Sequence, residues 1–192
     1  MKKALLPFLL FVLASCTKDR AAAPGEVTLP AMRIIDLNDA QVRYQQTRTV
    51  DLNADGAADL LFKLQLVGDP LLQVDKHQFC VQSGIQRNLL VNDQDETTPY
   101  AASATIPLQQ AGFEWYEVTQ TMLAEKVIGT SDGWWDGLWK TAQHRYLAVQ
   151  VQQGTNRYMG WVELSIDQAG ETLTLHRAAL NVSPNVPIVT GS

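Results

Sequence analysis

Three aspartates and an asparagine fall within nine residues at Asp51-Leu52-Asn53-Ala54-Asp55-Gly56-Ala57-Ala58-Asp59. Oxygen donors at this spacing suit calcium, which takes six to eight oxygens at about 2.3–2.6 Å from a tightly curled loop. Asp51, Asn53 and Asp55 would supply side-chain oxygens and Ala57 its backbone carbonyl. Gly56 permits the sharp bend, and Asp59 would close the shell directly or through water. Without a cation the carboxylates repel one another, by roughly 0.7–3 kcal/mol per pair at about 6 Å. The competing reading is an Asx-rich turn that binds nothing, because Asp, Asn and Gly favour turns on their own account.

The loop resembles EF-hand-type loops in its first six positions, but its twelfth position, where a bidentate Glu is required, is Phe62. It is closer to the shorter loops of FG-GAP and integrin-propeller repeats, which join two strands and carry Asp at the ninth position, as Asp59 does here. Those families repeat the loop from blade to blade. This chain has it once, so the resemblance carries over the local site and not a propeller.

Other reactive residue types are present in weaker patterns. Gly129-Thr130-Ser131-Asp132-Gly133 matches the G-x-S-x-G nucleophile elbow, with Asp167 and His176 following in hydrolase order. That motif requires a strand before it, a helix after it and a parallel sheet around it, and the surrounding chain reads antiparallel. His77, His144 and His176 have no metal-ligand spacing. Glu114 and Glu117 would act as a glycosidase pair only if they faced each other across a cleft. No catalytic constellation stands out, and a non-enzymatic protein is expected. Trp134, Trp135 and Trp139 could form an aromatic platform for a glycan, although large aromatic side chains serve core packing equally well.

The elements that must position these residues are strands. Leu60, Phe62, Leu64 and Leu66 alternate with polar neighbours, as do Leu147, Val149 and Val151. Tyr158, Gly160, Val162, Leu164 and Ile166 define one face of another run, and Leu173 and Leu175 follow after a turn at 167–170. Period two with short turn clusters predicts an antiparallel meander over 145–181. Further strands are predicted at 32–36, 47–51, 59–67, 85–91 and 101–106, and one short helix at 117–126. The fold class is therefore all-β, an antiparallel sandwich or open barrel with at most one short helix. The stretches Arg145–Val149 and Tyr158-Met159-Gly160-Trp161-Val162, with Pro184–Ile188, resemble the C-terminal part of exported bacterial β-proteins. Those proteins have no assigned activity, so the resemblance implies architecture only.

The first residues concern address. Lys2 and Lys3 precede an apolar run from Ala4 to Ala14 that ends in Leu13-Ala14-Ser15-Cys16. A basic head and a run this short describe a signal peptide rather than a membrane span, which needs about 20 residues. The ending resembles the bacterial lipoprotein box. The resemblance implies cleavage before Cys16, acylation of its thiol and amino terminus, and attachment to a membrane through two or three acyl chains. Thr17 in place of Asp implies the outer membrane. The expected organisation is a signal peptide at 1–15, a lipidated tether at 16–30 rich in Ala, Pro and charge, and one β-domain at 31–192.

Removing residues 1–15 leaves 177 residues with 13 basic and 20 acidic side chains, a net charge of −7. No Lys/Arg cluster is present, so nucleic acid is excluded as a partner on electrostatic grounds. A glycan or a protein remains as a possible ligand. Cys80 is the second of two cysteines, so with Cys16 acylated it has no partner for a disulfide.

Overall fold

The computed structural model describes residues 30–192. The expected signal peptide, Cys16 and all but Pro30 of the expected tether lie outside the described residues. The strands in chain order are β1 (Met32–Val42), β2 (Arg48–Val50), β3 (Leu60–Asp69), β4 (Val74–Ser83) and β5 (Arg87–Val91). Next come β6 (Thr105–Ile106), β7 (Glu114–Tyr116), β8 (Thr121–Ile128) and β9 (Gly133–Asp136). The chain ends with β10 (Arg145–Gln153), β11 (Asn156–Asp167), β12 (Thr172–Asn181) and β13 (Ile188–Val189).

These strands build an antiparallel β-sandwich. One sheet has the order β1-β12-β11-β10-β5-β7, and the facing sheet has the order β2-β3-β4-β8-β9. Both sheets are open, so the barrel alternative is set aside. The main core lies between them and draws Phe62, Phe79 and Leu123 from one side and Val149, Val162, Leu164 and Leu175 from the other. Period-two alternation produces this directly, because residues two apart share a face. Leu60, Phe62 and Leu64 follow the pattern inward, whereas Leu66 is half exposed where the β3–β4 hairpin leaves the sandwich.

The six-stranded sheet is also covered on its outer face. Tyr146, Ala148, Met159, Trp161 and Ala179 meet Leu90, Ile106 and Ile188 in a second core, closed by the β6–β13 pair. This explains why β11 is buried on both faces. Gly160 is needed where β10, β11 and β12 converge. A Cβ there would sit 2.5 Å from the Ala179 carbonyl oxygen and 3.0 Å from a Val149 methyl.

The expected helix at 117–126 is not formed; residues 121–128 are strand β8, paired with β4 on one side and β9 on the other. Val118 does reach the main core, but from a loop. The segment has middling helix propensity, and two flanking ladders decide its conformation. The meander over 145–181 is present as β10–β12 with tight turns. Strands β4, β7 and β9 had no counterpart among the expected elements. Among the described residues there is no helix, and so none long and apolar enough to cross a membrane.

Candidate functional site

The 51–59 loop joins β2 to β3, whose pairing ends at Val50↔Leu60. Its conformation is written by side chains accepting backbone protons. The Asp51 carboxylate accepts the Asp55 N–H at 3.3 Å and the Gly56 N–H at 2.9 Å. Asn53 Oδ1 accepts the Asp55 N–H at 3.0 Å, and Asp55 Oδ1 accepts the Ala57 N–H at 2.8 Å. Ala54 and Gly56 adopt φ of 55° and 86°, the left-handed region in which glycine carries no Cβ penalty. The Ala57 N–H, then Asn53, and the Arg87 charge hold the Asp55 carboxyl below its ordinary 3.8, with slight desolvation opposing them.

Asp59 occupies a different place from the one expected. Its side chain is fully buried. Its Oδ2 accepts the N–H groups of Leu52 and Asn53 at 2.6 and 3.3 Å, and its Oδ1 accepts the Arg87 Nε–H. The Arg87 guanidinium also reaches Asp55 Oδ2 at 3.3 Å. The backbone of Asp59 is equally engaged, donating to the Val50 carbonyl and accepting from Gly84. Asp59 thus ties the loop to the β4–β5 turn, with Arg87 as an internal cation. A metal shell, were one formed, would have to come from Asp51, Asn53, Asp55 and the Ala57 carbonyl. A carboxylate offers about four acceptor positions, so Asp51 and Asp55 keep capacity after accepting these hydrogen bonds. Among the described residues no three or more His, Cys, Asp or Glu side chains are grouped so as to hold a metal ion. Any cation here therefore depends on Asn53 and a backbone oxygen as much as on charge.

The three tryptophans do not share a surface. Trp139 is 0 % exposed in the main core, and its indole N–H donates to the Thr97 carbonyl at 2.9 Å and Thr97 Oγ1 at 3.0 Å. Trp135 packs against that core and stacks on Phe79 at 6.0 Å. Only Trp134 is exposed, at 52 %. Trp134 and Trp135 are neighbours on β9, and successive strand residues point to opposite faces. The platform formed by all three is therefore ruled out by Trp139's burial and the strand geometry.

The hydrolase pattern is not assembled. Ser131 lies in the exposed β8–β9 hairpin turn, closed by Gly129 N–H donating to the Asp132 carbonyl, so the motif sits strand–turn–strand. His176 instead faces Ser165, with Oγ···Nε2 at 2.8 Å, and Asp39, with Oδ1···Nδ1 at 2.6 Å. Irregularities in β1 at 36–40 and at the β11–β12 pairing bring these groups together, as bulges commonly re-aim side chains. Ser165 is 8 % exposed and takes the His144 N–H on its oxygen. Among the described residues, five surface hollows can be traced and neither Ser165 nor His176 lines any of them. His144 stacks on His176 at 4.3 Å and pairs with Glu163, while His77 pairs with Glu171. Glu117 accepts the Gln86 N–H. Cys80 is buried, which pushes its thiol up to about 11, far from the range of a reactive thiolate.

Sequence reasoning missed a cleft on the outer face of the six-stranded sheet. Tyr146 and Ala148 belong to the second core, but Gln150 and Gln152 continue the same face of β10. Gln150 pairs across to Asn88 on one side and Met159 on the other, and Gln152 to Arg157. Two adjoining hollows of about 410 and 650 Å³ open over this row and share Leu108, Gln109, Gln152 and Arg157. The available signal was the pair Gln150 and Gln152, two amides replacing the apolar residues of one face towards the end of a β-run.

Comparison with protein-family models, with curated proteins and with solved structures finds no match.

Proposed function

We propose that this chain is a lipid-anchored protein of the bacterial envelope whose β-sandwich has a non-enzymatic binding or structural role, with calcium held at the 51–57 bend. The Cys16 box supports the anchor, and the absence of Asp at position 17 supports the outer membrane. The observation that carries the calcium reading is the succession of side-chain-to-backbone hydrogen bonds from Asp51, Asn53 and Asp55. It wraps an exposed bend around three oxygen-bearing side chains while Arg87 fixes Asp59 behind it.

In this arrangement Asp51, Asn53, Asp55 and the Ala57 carbonyl would hold the ion, and calcium would brace the β2–β3 connection. Two carboxylates beside a guanidinium give low net charge, so affinity in the range of about 10⁻⁴ to 10⁻³ M is expected, as in extracellular modules. Calorimetric titration of CaCl₂ into the mature protein should give saturable heat that Asp51→Asn and Asp55→Asn abolish. Wild-type heats equal to buffer blanks, with a melting temperature indifferent to EGTA, would dispose of the calcium reading. For the anchor, metabolic labelling with an alkyne fatty acid should mark the wild type and not Cys16→Ser. Label retained in Cys16→Ser would refute it.

A further inference from the structure

We propose that the cleft over β5, β10 and β11 is a binding site for a neutral oligosaccharide. The site gives the binding role proposed above a ligand class, and it stands apart from the calcium bend and from the rejected tryptophan platform.

The floor is unusual for a sheet face. Along β10 the face runs Tyr146, Ala148, Gln150, Gln152; along β5 it runs Leu90, Asn88; along β11 it runs Trp161, Met159, Arg157. β5 and β10 change from apolar to polar at the paired Asn88 and Gln150, and β11 changes one pair further on, at Arg157 opposite Gln152. The apolar half is roofed by the second core, and the cleft lies over the polar half, with the buried Asn88 and Gln150 at its bottom and Gln109, Gln152 and Arg157 nearer its mouth. A hollow of this size falls within the usual range for small-ligand sites, about 300–1,000 Å³.

Gln150 supplies the observation that points outward. It is 1 % exposed and its Oε1 accepts the Asn88 Nδ2–H at 2.9 Å. Its own amide N–H group meets only the Met159 thioether at 3.5 Å, and a thioether is a weak acceptor. A buried amide donor without an oxygen partner is costly. At the cleft floor, a ligand hydroxyl that approaches Asn88 and Gln150 would relieve that cost.

The lining chemistry selects the ligand class. Side-chain amides both donate and accept, as do sugar hydroxyls. One cation, Arg157, is set against one carboxylate, Glu114, so the cleft offers no net charge to an ionic ligand. Trp115 adds an aromatic wall, fixed by its indole N–H donating to the Leu108 carbonyl at 3.1 Å, and sugar rings stack on such faces. A peptide recognised through its main chain needs an open strand edge. The floor strands β10 and β11 are interior, with both ladders filled.

The test uses the mature protein in detergent and a panel of neutral tetrasaccharides built from glucose, mannose, galactose and N-acetylglucosamine, titrated calorimetrically. At least one should bind, in EGTA as well as in calcium. The double variant Gln109→Ala, Gln152→Ala should weaken that binding about tenfold or more, as expected for one or two lost hydrogen bonds. Gln109 is exposed and Gln152, at the outer end of the floor row, is not buried, so the melting temperature of the double variant should match the wild type. Trp134→Ala should leave affinity unchanged. The proposal is overturned if no member of the panel binds below about 10 mM, if the double variant binds as tightly as wild type, or if Trp134→Ala abolishes binding. Calcium failing to bind would refute the bend and leave this result standing.

Discussion

Replacing Arg87 by Met tests whether the Asp59–Arg87 pair is the internal brace of the β2–β3 connection. The carboxylate side chain is fully buried and the guanidinium is 14 % exposed. After the change, Asp59 would keep two backbone N–H donors and lose its one cationic partner among the described residues. Removing one member of a buried ion pair costs about 3–5 kcal/mol, because the remaining charge stays desolvated. For a domain of this size about 2–4 °C is lost per kcal/mol, so the melting temperature should fall by about 6–20 °C. Adding Asp59→Asn to Arg87→Met removes the stranded charge while keeping an oxygen for the Leu52 N–H. The double variant should recover part of the loss, with a coupling of about 1–3 kcal/mol in the double-mutant cycle. Differential scanning calorimetry and urea unfolding of all four proteins supply the comparison. A fall of less than about 2 °C in Arg87→Met, about 1 kcal/mol or less at this size, would refute the assignment of Arg87 as the brace.

Gly160→Ala forces a methyl to within 2.5 Å of a carbonyl oxygen between three strands, so it should destabilise by about 1–3 kcal/mol, read as a lower urea midpoint with an unchanged slope. Trp139→Phe leaves the Thr97 carbonyl and hydroxyl without their indole donor and should cost about 1–3 kcal/mol by the same measurement; Trp134→Ala should cost little. Acid should also weaken the fold. Glu171 is held below its ordinary 4.5 chiefly by the Lys126 hydrogen bond, against some desolvation, with help from His77. Burial works to raise Glu163, but Arg177 and His144 outweigh it and its net position is also lowered. A carboxylate with a depressed folded value binds fewer protons when folded. Its contribution is therefore complete above about 4.5 and is lost as pH falls through the folded value. The urea midpoint should drop between pH 5 and pH 3, and Glu171→Gln should flatten that drop; an equally steep profile in the variant would contradict the pairing.

Much of the fold was legible because period-two alternation fixes which side of a strand is buried. Leu147, Val149 and Val151 reached the main core as their spacing implied. The other side of β11 carries Arg157, Glu163, Ser165 and Asp167, yet Met159 and Trp161 on that same side form a second core. Alternation distinguishes two faces but does not say that both are covered. Strand β8 was read as helix because Val118, Met122 and Leu123 fit a helical spacing, and only the flanking ladders, which are long-range, decide otherwise. At the bend, the conformation was legible in Asp, Asn and Gly, since Asx turns are local. The inward role of Asp59 was not, because its partner Arg87 lies 28 residues away on another turn. The amide row went unread for the same reason: Gln150 acquires meaning only beside Asn88.

The break in β1 has a consequence for colloidal behaviour. β1 is a terminal strand of its sheet, and Asn38 and Asp39, both at positive φ, interrupt its hydrogen-bonding line between Asp36 and Ala40. The other three terminal strands of the two main sheets, β2, β7 and β9, run for only three or four residues. Exposed strand margins are templates for intermolecular zippering, and irregular or very short margins suppress it. At these four strands, copies crowded side by side would find only short or interrupted backbone to extend, which works against growth of one sheet into the next.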